Sequence, residues 1–259
     1  MIKVGVVGMG VIGTHIAKAI TNGIPGIALA GVSVRTRTTA GAFPVFPLAE
    51  LIQRSDLVVE AATQASLTEF GPAVIEAGKH LMVLSVGALV GVLDEWARLA
   101  GARGCLILVP SGAIAGLDGV KGAREGAISS VTMETRKPPR GLVGAPYLEQ
   151  HRIDLDAIRK ETLIFEGPAT EAVKAFPANV NVVAALALAG LGPARTRIKL
   201  FAVPGQERNQ HRIIVEGEFG TLRIEVENVP SENPRTGKLS YLSAIAMLRE
   251  LGAAVQIGT

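Results

Sequence analysis

Five apolar runs, Ile2–Val7, Ala28–Val34, Asp56–Ala62, Leu81–Val86 and Cys105–Val109, punctuate the first half of the chain. Each is apolar at nearly every position, as strands buried on both faces require. Between them the spacing changes to that of helices: Ile12, Ile16 and Ile20 within Val11–Thr21, then Leu48–Gln53, Leu67–Ala77 and Val92–Ala100. Alternation of this kind predicts an α/β domain of the Rossmann type, a doubly wound parallel sheet with crossover helices.

After Pro110 the pattern changes. Ile128–Thr135, Thr196–Val203, His211–Val215 and Gly220–Val226 alternate apolar with polar residues, which predicts an open antiparallel sheet with one wet face. Helical segments near Leu155–Lys160 and from Ala169 through Leu191 interrupt it. A last helical stretch, Leu239–Leu251, and a short apolar run, Ala253–Ile257, read as one more helix and strand of the first domain. The expected organisation is therefore discontinuous. Residues 1–111 plus 238–259 form the dinucleotide-binding Rossmann domain, and residues 112–237 form an inserted α+β domain for substrate, catalysis and oligomerisation. The Pro-rich piece Lys137–Pro146 is expected to be an exposed loop.

Composition narrows the class. The chain has 259 residues, 48% of them hydrophobic, so one to two domains can bury about three quarters of the unfolded surface. The single cysteine, Cys105, excludes a disulfide framework and a cysteine-built zinc cluster, and points to a reducing, cytoplasmic compartment. No basic, apolar and small-residue succession of a secretory signal precedes Ile2. The longest apolar stretch, Val182–Leu191, is about half of what a spanning helix needs, so no membrane partner is expected. A net charge of +3 suits an anionic ligand, but the basic residues are dispersed and aromatics make up only 4% of the chain. Nucleic acid is accordingly not expected as a partner.

Gly8, Gly10 and Gly13 form G-x-G-x-x-G between the first strand and the first helix. Glycines there permit a tight turn and close approach of backbone to a pyrophosphate, while the helix N-terminus, opening with Val11 and Ile12, favours the anion. The alternative is a glycine-rich turn without ligand; the strand–turn–helix context favours the dinucleotide. NAD-selective sites usually place a carboxylate at the end of the second strand. Here the sequence reads Val32-Ser33-Val34-Arg35-Thr36-Arg37. Two guanidinium groups and no carboxylate suit a ribose 2′-phosphate, so NADP is expected to work at least as well as NAD. Solvated loop arginines are the other reading.

Of four histidines, His15 and His80 read as packing or surface residues, and His151 has no polar cluster beside it. His211 opens a strand next to Arg208, Asn209, Gln210 and Arg212. A histidine there can serve as general acid or base near neutral pH, or be structural. Ser85 and Ser111 fall at or just beyond the carboxyl ends of parallel strands, where ligands bind.

Three further segments carry a family likeness: Val109-Pro110-Ser111-Gly112-Ala113-Ile114-Ala115-Gly116-Leu117-Asp118, Phe176-Pro177-Ala178-Asn179-Val180-Asn181-Val182 and Glu232-Asn233-Pro234-Arg235-Thr236-Gly237-Lys238. With the glycine-rich start and His211 in the same order, the whole chain resembles the L-aspartate dehydrogenase family. The resemblance implies a second domain like that of dihydrodipicolinate reductase and a homodimer. It also implies NAD(P)-dependent, reversible oxidative deamination of L-aspartate to oxaloacetate and ammonia through iminoaspartate, an intermediate that can feed NAD biosynthesis. It implies that His211 is the catalytic histidine and that Ala115 and Asn181 line the nicotinamide side of the cofactor site. Two substrate carboxylates call for converging donors, for which Thr236 and Lys238, supported by Asn233, stand at the entry to the last helix. Thr236 is equally suited to cap that helix.

Dihydrodipicolinate reductase itself ranks lower, because its paired-histidine segment with a nearby lysine and its Pro-Ser-Gly-Thr run are missing. Aspartate-semialdehyde dehydrogenase needs a cysteine nucleophile, and Cys105 sits in an apolar strand. A non-catalytic NADP-sensing protein is the remaining alternative. It would be stabilised by NADPH without oxidising it in the presence of oxaloacetate and ammonium.

Overall fold

The computed structural model describes residues 1–35, 40–177, 180–229, 231–232 and 237–258. The chain divides into two compact units, Met1–Pro110 with Tyr241–Ile257, and Ser111–Ser240 with Gly258.

In the first unit, strands β1 (Ile2–Val7), β2 (Ile27–Ser33), β3 (Leu57–Glu60), β4 (His80–Val83) and β5 (Ile107–Leu108) form a parallel sheet in the order β2-β1-β3-β4-β5. Beyond β2 the chain makes one further parallel bridge, Val32 to Val45, with Val32 N–H donating to Pro44 O at 2.8 Å and Phe46 N–H to Val32 O at 2.9 Å. That rudimentary edge completes the 3-2-1-4-5-6 order of a dinucleotide-binding sheet. The crossover helices are α1 (Val11–Thr21), α2 (Leu48–Arg54), α3 (Gln64–Glu76) and α4 (Leu93–Arg103). Ile16 and Ile20 of α1 are buried with Val4, Val6 and Val59, as their helical spacing predicts. Trp96 of α4 packs where Gly71 of α3 has no side chain: a Cβ at Gly71 would fall within 2.5 Å of the indole.

The second unit opens with α5 (Leu117–Arg124), followed by β6 (Ile128–Lys137), α6 (Pro146–Gln150), β7 (Thr162–Pro168), α7 (Ala169–Ala175), α8 (Asn181–Ala189), β8 (Thr196–Ala202), β9 (Asn209–Gly217) and β10 (Gly220–Asn228). The sheet order is β10-β9-β6-β8-β7. It is mixed rather than purely antiparallel, because β6 and β8 pair in parallel. The two apolar helices between β7 and β8 supply the crossover that a parallel pair needs. One sheet face is buried under α5, α7 and α8, with Val131, Met133, Ile198, Leu200, Ile213 and Val215 at its centre. The opposite face carries Arg212–Glu225, Arg136–Glu134 and Arg197–Glu166 ion pairs.

Several expectations fail locally. The continuous helix from Ala169 through Leu191 is two, α7 and α8, and Leu155–Lys160 is reduced to a single 3-10 turn at Leu155–Ala157. The piece Lys137–Pro146 is exposed only in part: Lys137 closes β6 and is buried, as are Leu142 and Ala145, while Arg140, Val143, Gly144 and Pro146 are exposed. The chain ends on α9 (Leu239–Leu251), whose Ala244 and Leu248 join the core of the first unit, and Tyr241 stacks on His15 at 4.1 Å. Ala253–Ile257 forms no strand; Val255 and Ile257 are 70% and 88% exposed.

Candidate active site

At the carboxyl end of β1 the backbone turns through Gly8 at φ +92°, and α1 begins at Val11 with Gly10 as its N-cap. A Cβ on Gly8 would stand 2.6 Å from the Ala61 carbonyl oxygen, and one on Gly13 would run into the Gly8 carbonyl oxygen. At Gly10 a Cβ would meet nothing within 4 Å. Two glycines thus let turn, helix and β3 close together, and the third opens onto free space. That cradle fits a pyrophosphate, and the unpaired N–H groups at the start of α1, from Val11 and Ile12 on, face it with the favourable end of the helix dipole. A cleft of about 1500 Å³ runs past it, lined by Gly8, Gly10, Thr14, Ser33, Arg35 and Thr63.

Arg35 lies on this cleft just beyond β2. It is exposed and pairs with Glu69 at 3.2 Å. Arg37 lies outside the described residues. The floor between β3 and β4 is held by Glu60, a fully buried acid at the end of an otherwise apolar strand. Its carboxylate accepts from Ser85 N–H and Oγ–H at 2.8 Å each, from Ala62 N–H at 2.8 Å and from Leu84 N–H at 3.2 Å. Burial raises its pKa against these four donors. Ser85 is therefore committed to Glu60, which also holds Ala62 on the cleft wall.

The second unit gathers polar residues at one end of its buried sheet face. His211 on β9 pairs in register with Thr135 on β6 and Val226 on β10, while Asn209 pairs with Asn228. Lys137 lies two residues beyond Thr135, hence on the same face, beside Ala202 of β8. All five polar side chains are buried. His211 Nδ1 lies 3.0 Å from Thr135 Oγ1. With Nδ1–H donating to that hydroxyl oxygen, Nε2 keeps a free lone pair.

Burial and the Lys137 charge lower the His211 pKa from 6.5 to about 3, and burial lowers that of Lys137 from 10.5 to about 8. Between pH 3 and 6.5 the unfolded chain binds the His211 proton and the folded chain does not, so stability falls as the pH drops through that window. For Lys137 the unfolded state binds the extra proton between about 8 and 10.5, so its contribution rises with pH there. In urea unfolding between pH 7 and pH 4, His211→Asn is expected to lose less stability than the wild type. Equal losses would contradict the burial of a neutral imidazole.

The resemblance-derived residues converge on the same end of this sheet. Ala115 is exposed in the turn between Gly112 and Gly116, both in the left-handed region at φ +68° and +76°. Ala113 O accepts from Asn228 Nδ2–H at 2.7 Å, which ties that turn to β10. A Cβ on Gly112 would contact Val182, so the turn also neighbours the start of α8, where Asn181 is the first, exposed residue. Gly237 packs against Asn228, and the exposed Lys238 donates its N–H to Val229 O at 3.1 Å just before α9. Asn233 and Thr236 lie outside the described residues.

The remaining histidines have packing roles. His80 Nδ1 accepts from Leu106 N–H at 3.0 Å, and His151 stacks on Tyr147 at 3.9 Å. Cys105 is buried, and burial raises its thiol pKa, the opposite of an activated nucleophile. Among the described residues no cluster of His, Cys, Asp or Glu could hold a metal ion.

A dinucleotide-binding sheet joined to a second unit with a buried histidine defines the class, a nicotinamide-dependent oxidoreductase. The family described as "Homoserine dehydrogenase, NAD binding domain" matches residues 8–110, and that described as "Aspartate dehydrogenase, C-terminal" matches residues 118–251. The chain is 46% identical over 271 residues to L-aspartate dehydrogenase of Methanosarcina barkeri, covering 100% of both chains. It is 43% identical to L-aspartate dehydrogenase 3 of Bordetella bronchiseptica, covering 99% of this chain and 97% of that one. The chain belongs to the L-aspartate dehydrogenase family. Its fold is similar to that of aspartate dehydrogenase from Thermotoga maritima, with a TM-score of 0.80 at 22% identity over 100% of both chains. It is also similar to that of a hyperthermophilic archaeal homoserine dehydrogenase in complex with NADPH, at a TM-score of 0.59, 12% identity and 95% of both chains.

Proposed function

We propose that this chain catalyses the reversible, NAD(P)-dependent oxidative deamination of L-aspartate to oxaloacetate and ammonia through iminoaspartate. The observation that carries the reading is the buried, neutral His211 among hydrogen-bonding residues, in a chain of this family. The glycine cradle would hold the dinucleotide, which when bound accepts the hydride from Cα of aspartate. The protein supplies the proton chemistry. His211 takes a proton from the substrate ammonium, so that the amine can give up hydride and become an iminium, and releases that proton to solvent. Neutral again, it accepts a proton from the water that adds to the iminium carbon and returns it to the carbinolamine nitrogen; ammonia leaves as the hydroxyl gives up its proton, and oxaloacetate remains. Asn181 is read as a partner for the nicotinamide carboxamide, since an amide donates and accepts at once. Ala115 contributes shape and backbone contact.

Thr236 and Lys238, supported by Asn233, are read as donors to the substrate carboxylates. The partner is then a small dicarboxylate, with no nucleic acid or membrane involved, and the enzyme a cytoplasmic homodimer. The dispersed basic residues and the single cysteine support that reading. The test is an initial-rate panel of amino acids and 2-oxo acids with both cofactors. Aspartate-dependent reduction and oxaloacetate- plus ammonium-dependent oxidation are expected; stabilisation by NADPH with no turnover would replace the enzyme by a sensor.

Arg35 on the cleft supports a preference for NADP. Arg35→Ala is expected to weaken NADP binding roughly tenfold, the scale of one charge-assisted hydrogen bond, and to leave NAD binding unchanged. Equal affinity of the variant and the wild type for NADP would remove Arg35 from the site.

A further inference from the structure

We infer that Glu69 sets the choice between NAD and NADP, as an acid that competes with the ribose 2′-phosphate for the Arg35 guanidinium; this rests on the reading of Arg35 as the group that meets that phosphate. The end of β2 carries no carboxylate of its own, Ser33 being followed by Val34 and Arg35. The structure supplies one from another element. Glu69 of α3 reaches the same cleft and places Oε2 3.2 Å from Arg35 Nη2. Ser66, Glu69 and Phe70, three and four residues apart on α3, share the face that lines the cleft, and Thr63 at the helix N-cap accepts from Ser66 N–H at 3.2 Å. Among the described residues that line the cleft, Glu69 is the only acid, set against the cations Arg35 and Lys18.

A guanidinium that already donates to a carboxylate is a poorer partner for a phosphate. To seat the 2′-phosphate, either the Arg35–Glu69 pair opens or two anions share one cation and repel each other. A 2′-hydroxyl makes no such demand, because it is uncharged and the pair can stay closed beside it. NADP therefore meets an opposing cost that NAD does not, and the cleft remains open to both. The two side chains are 72% and 74% exposed, so the cost is modest and falls as salt screens it.

NADPH and NADH, which differ only in the 2′-phosphate, are titrated by fluorescence against the wild type, Glu69→Gln, Arg35→Ala and the double variant. Both positions are exposed, so folding is not at stake. Glu69→Gln is expected to tighten NADPH roughly three- to fivefold, the upper range of an exposed ion pair, and to leave NADH unchanged. On the Arg35→Ala background the same substitution should shift NADPH by less than about 1.5-fold, since no guanidinium remains to be released and the two effects are coupled. NADPH affinity in Glu69→Gln within about 1.5-fold of wild type, or weaker because Glu69 had been orienting Arg35, would overturn the inference. Equal tightening of NADH, or an equal gain with and without Arg35, would overturn it too. Wild-type NADPH affinity in Arg35→Ala would remove Arg35 from the site and the inference with it. Binding is read without turnover, so a protein that shows the expected pattern but does not oxidise aspartate would overturn the proposed reaction and not the role of Glu69.

Discussion

His211→Asn is expected to lower kcat for aspartate oxidation by about 10²- to 10⁴-fold, the usual contribution of a positioned acid–base group. Asparagine keeps a donor for Thr135 Oγ1, 3.0 Å away in the wild type, so the row of buried polar residues stays hydrogen-bonded. What it removes is a nitrogen that takes and returns protons. Because the variant leaves the glycine turn and Arg35 of the first unit untouched, NADPH affinity, measured by fluorescence, is expected to stay at the wild-type level. The pH profile of the residual rate should lose its dependence on this group. A kcat within a few-fold of wild type, set against that 10²-fold minimum, would assign proton transfer elsewhere.

Gly13→Ala should produce the largest effect in the first unit. Its Cβ would run into the Gly8 carbonyl oxygen and lie 3.4 Å from Ala61 Cβ, so the turn and the first helix must part. Overpacking of this kind costs about 1–3 kcal/mol of stability. Moving the helix N-terminus off the anion should lower dinucleotide affinity by roughly tenfold or more, about the value of one hydrogen bond to a charged group. Unchanged NADPH affinity in Gly13→Ala would show that the glycine turn is not the pyrophosphate site.

The parts of the fold legible in the sequence are those fixed by local spacing. Strands β1 to β4 were readable because burial on both faces leaves almost no polar position, and α1 because three isoleucines mark one face. The edge at Val45 escaped notice because a single bridge leaves no periodic signature. Strand β7 was missed because it carries an irregularity between Leu163 and Phe165, and α5 because Gly119 and Gly122 weaken its helical signal. The apolar run Ala253–Ile257 looked like a strand, but apolar residues alone do not supply a sheet edge to pair with.

The candidate site divides in the same way. The glycine fingerprint is local and could be found by eye. His211 needed the family likeness to be singled out from four histidines. Lys137 is hard to read because the apolar alternation is plain only as far as Thr135; one more two-residue step puts a lysine on the apolar face. Its relation to His211 spans over seventy residues of sequence and exists only through the register of β6 with β9. Glu60 offered a quieter signal, one acid in an otherwise apolar strand.

The return of α9 to the first unit sets an order of events on the ribosome. Val4, Val6, Ile16 and Ile20 emerge first, yet Ala244 and Leu248, which close the same core, are among the last residues made. At about 5–20 residues per second, roughly 10 to 50 seconds separate them. The nascent nucleotide-binding unit must stay incomplete while the second sheet, continuous in sequence from β6 to β10, is already able to close. A chain that stops before Leu239 would keep its glycine turn and lose the helix that seals the core beneath it.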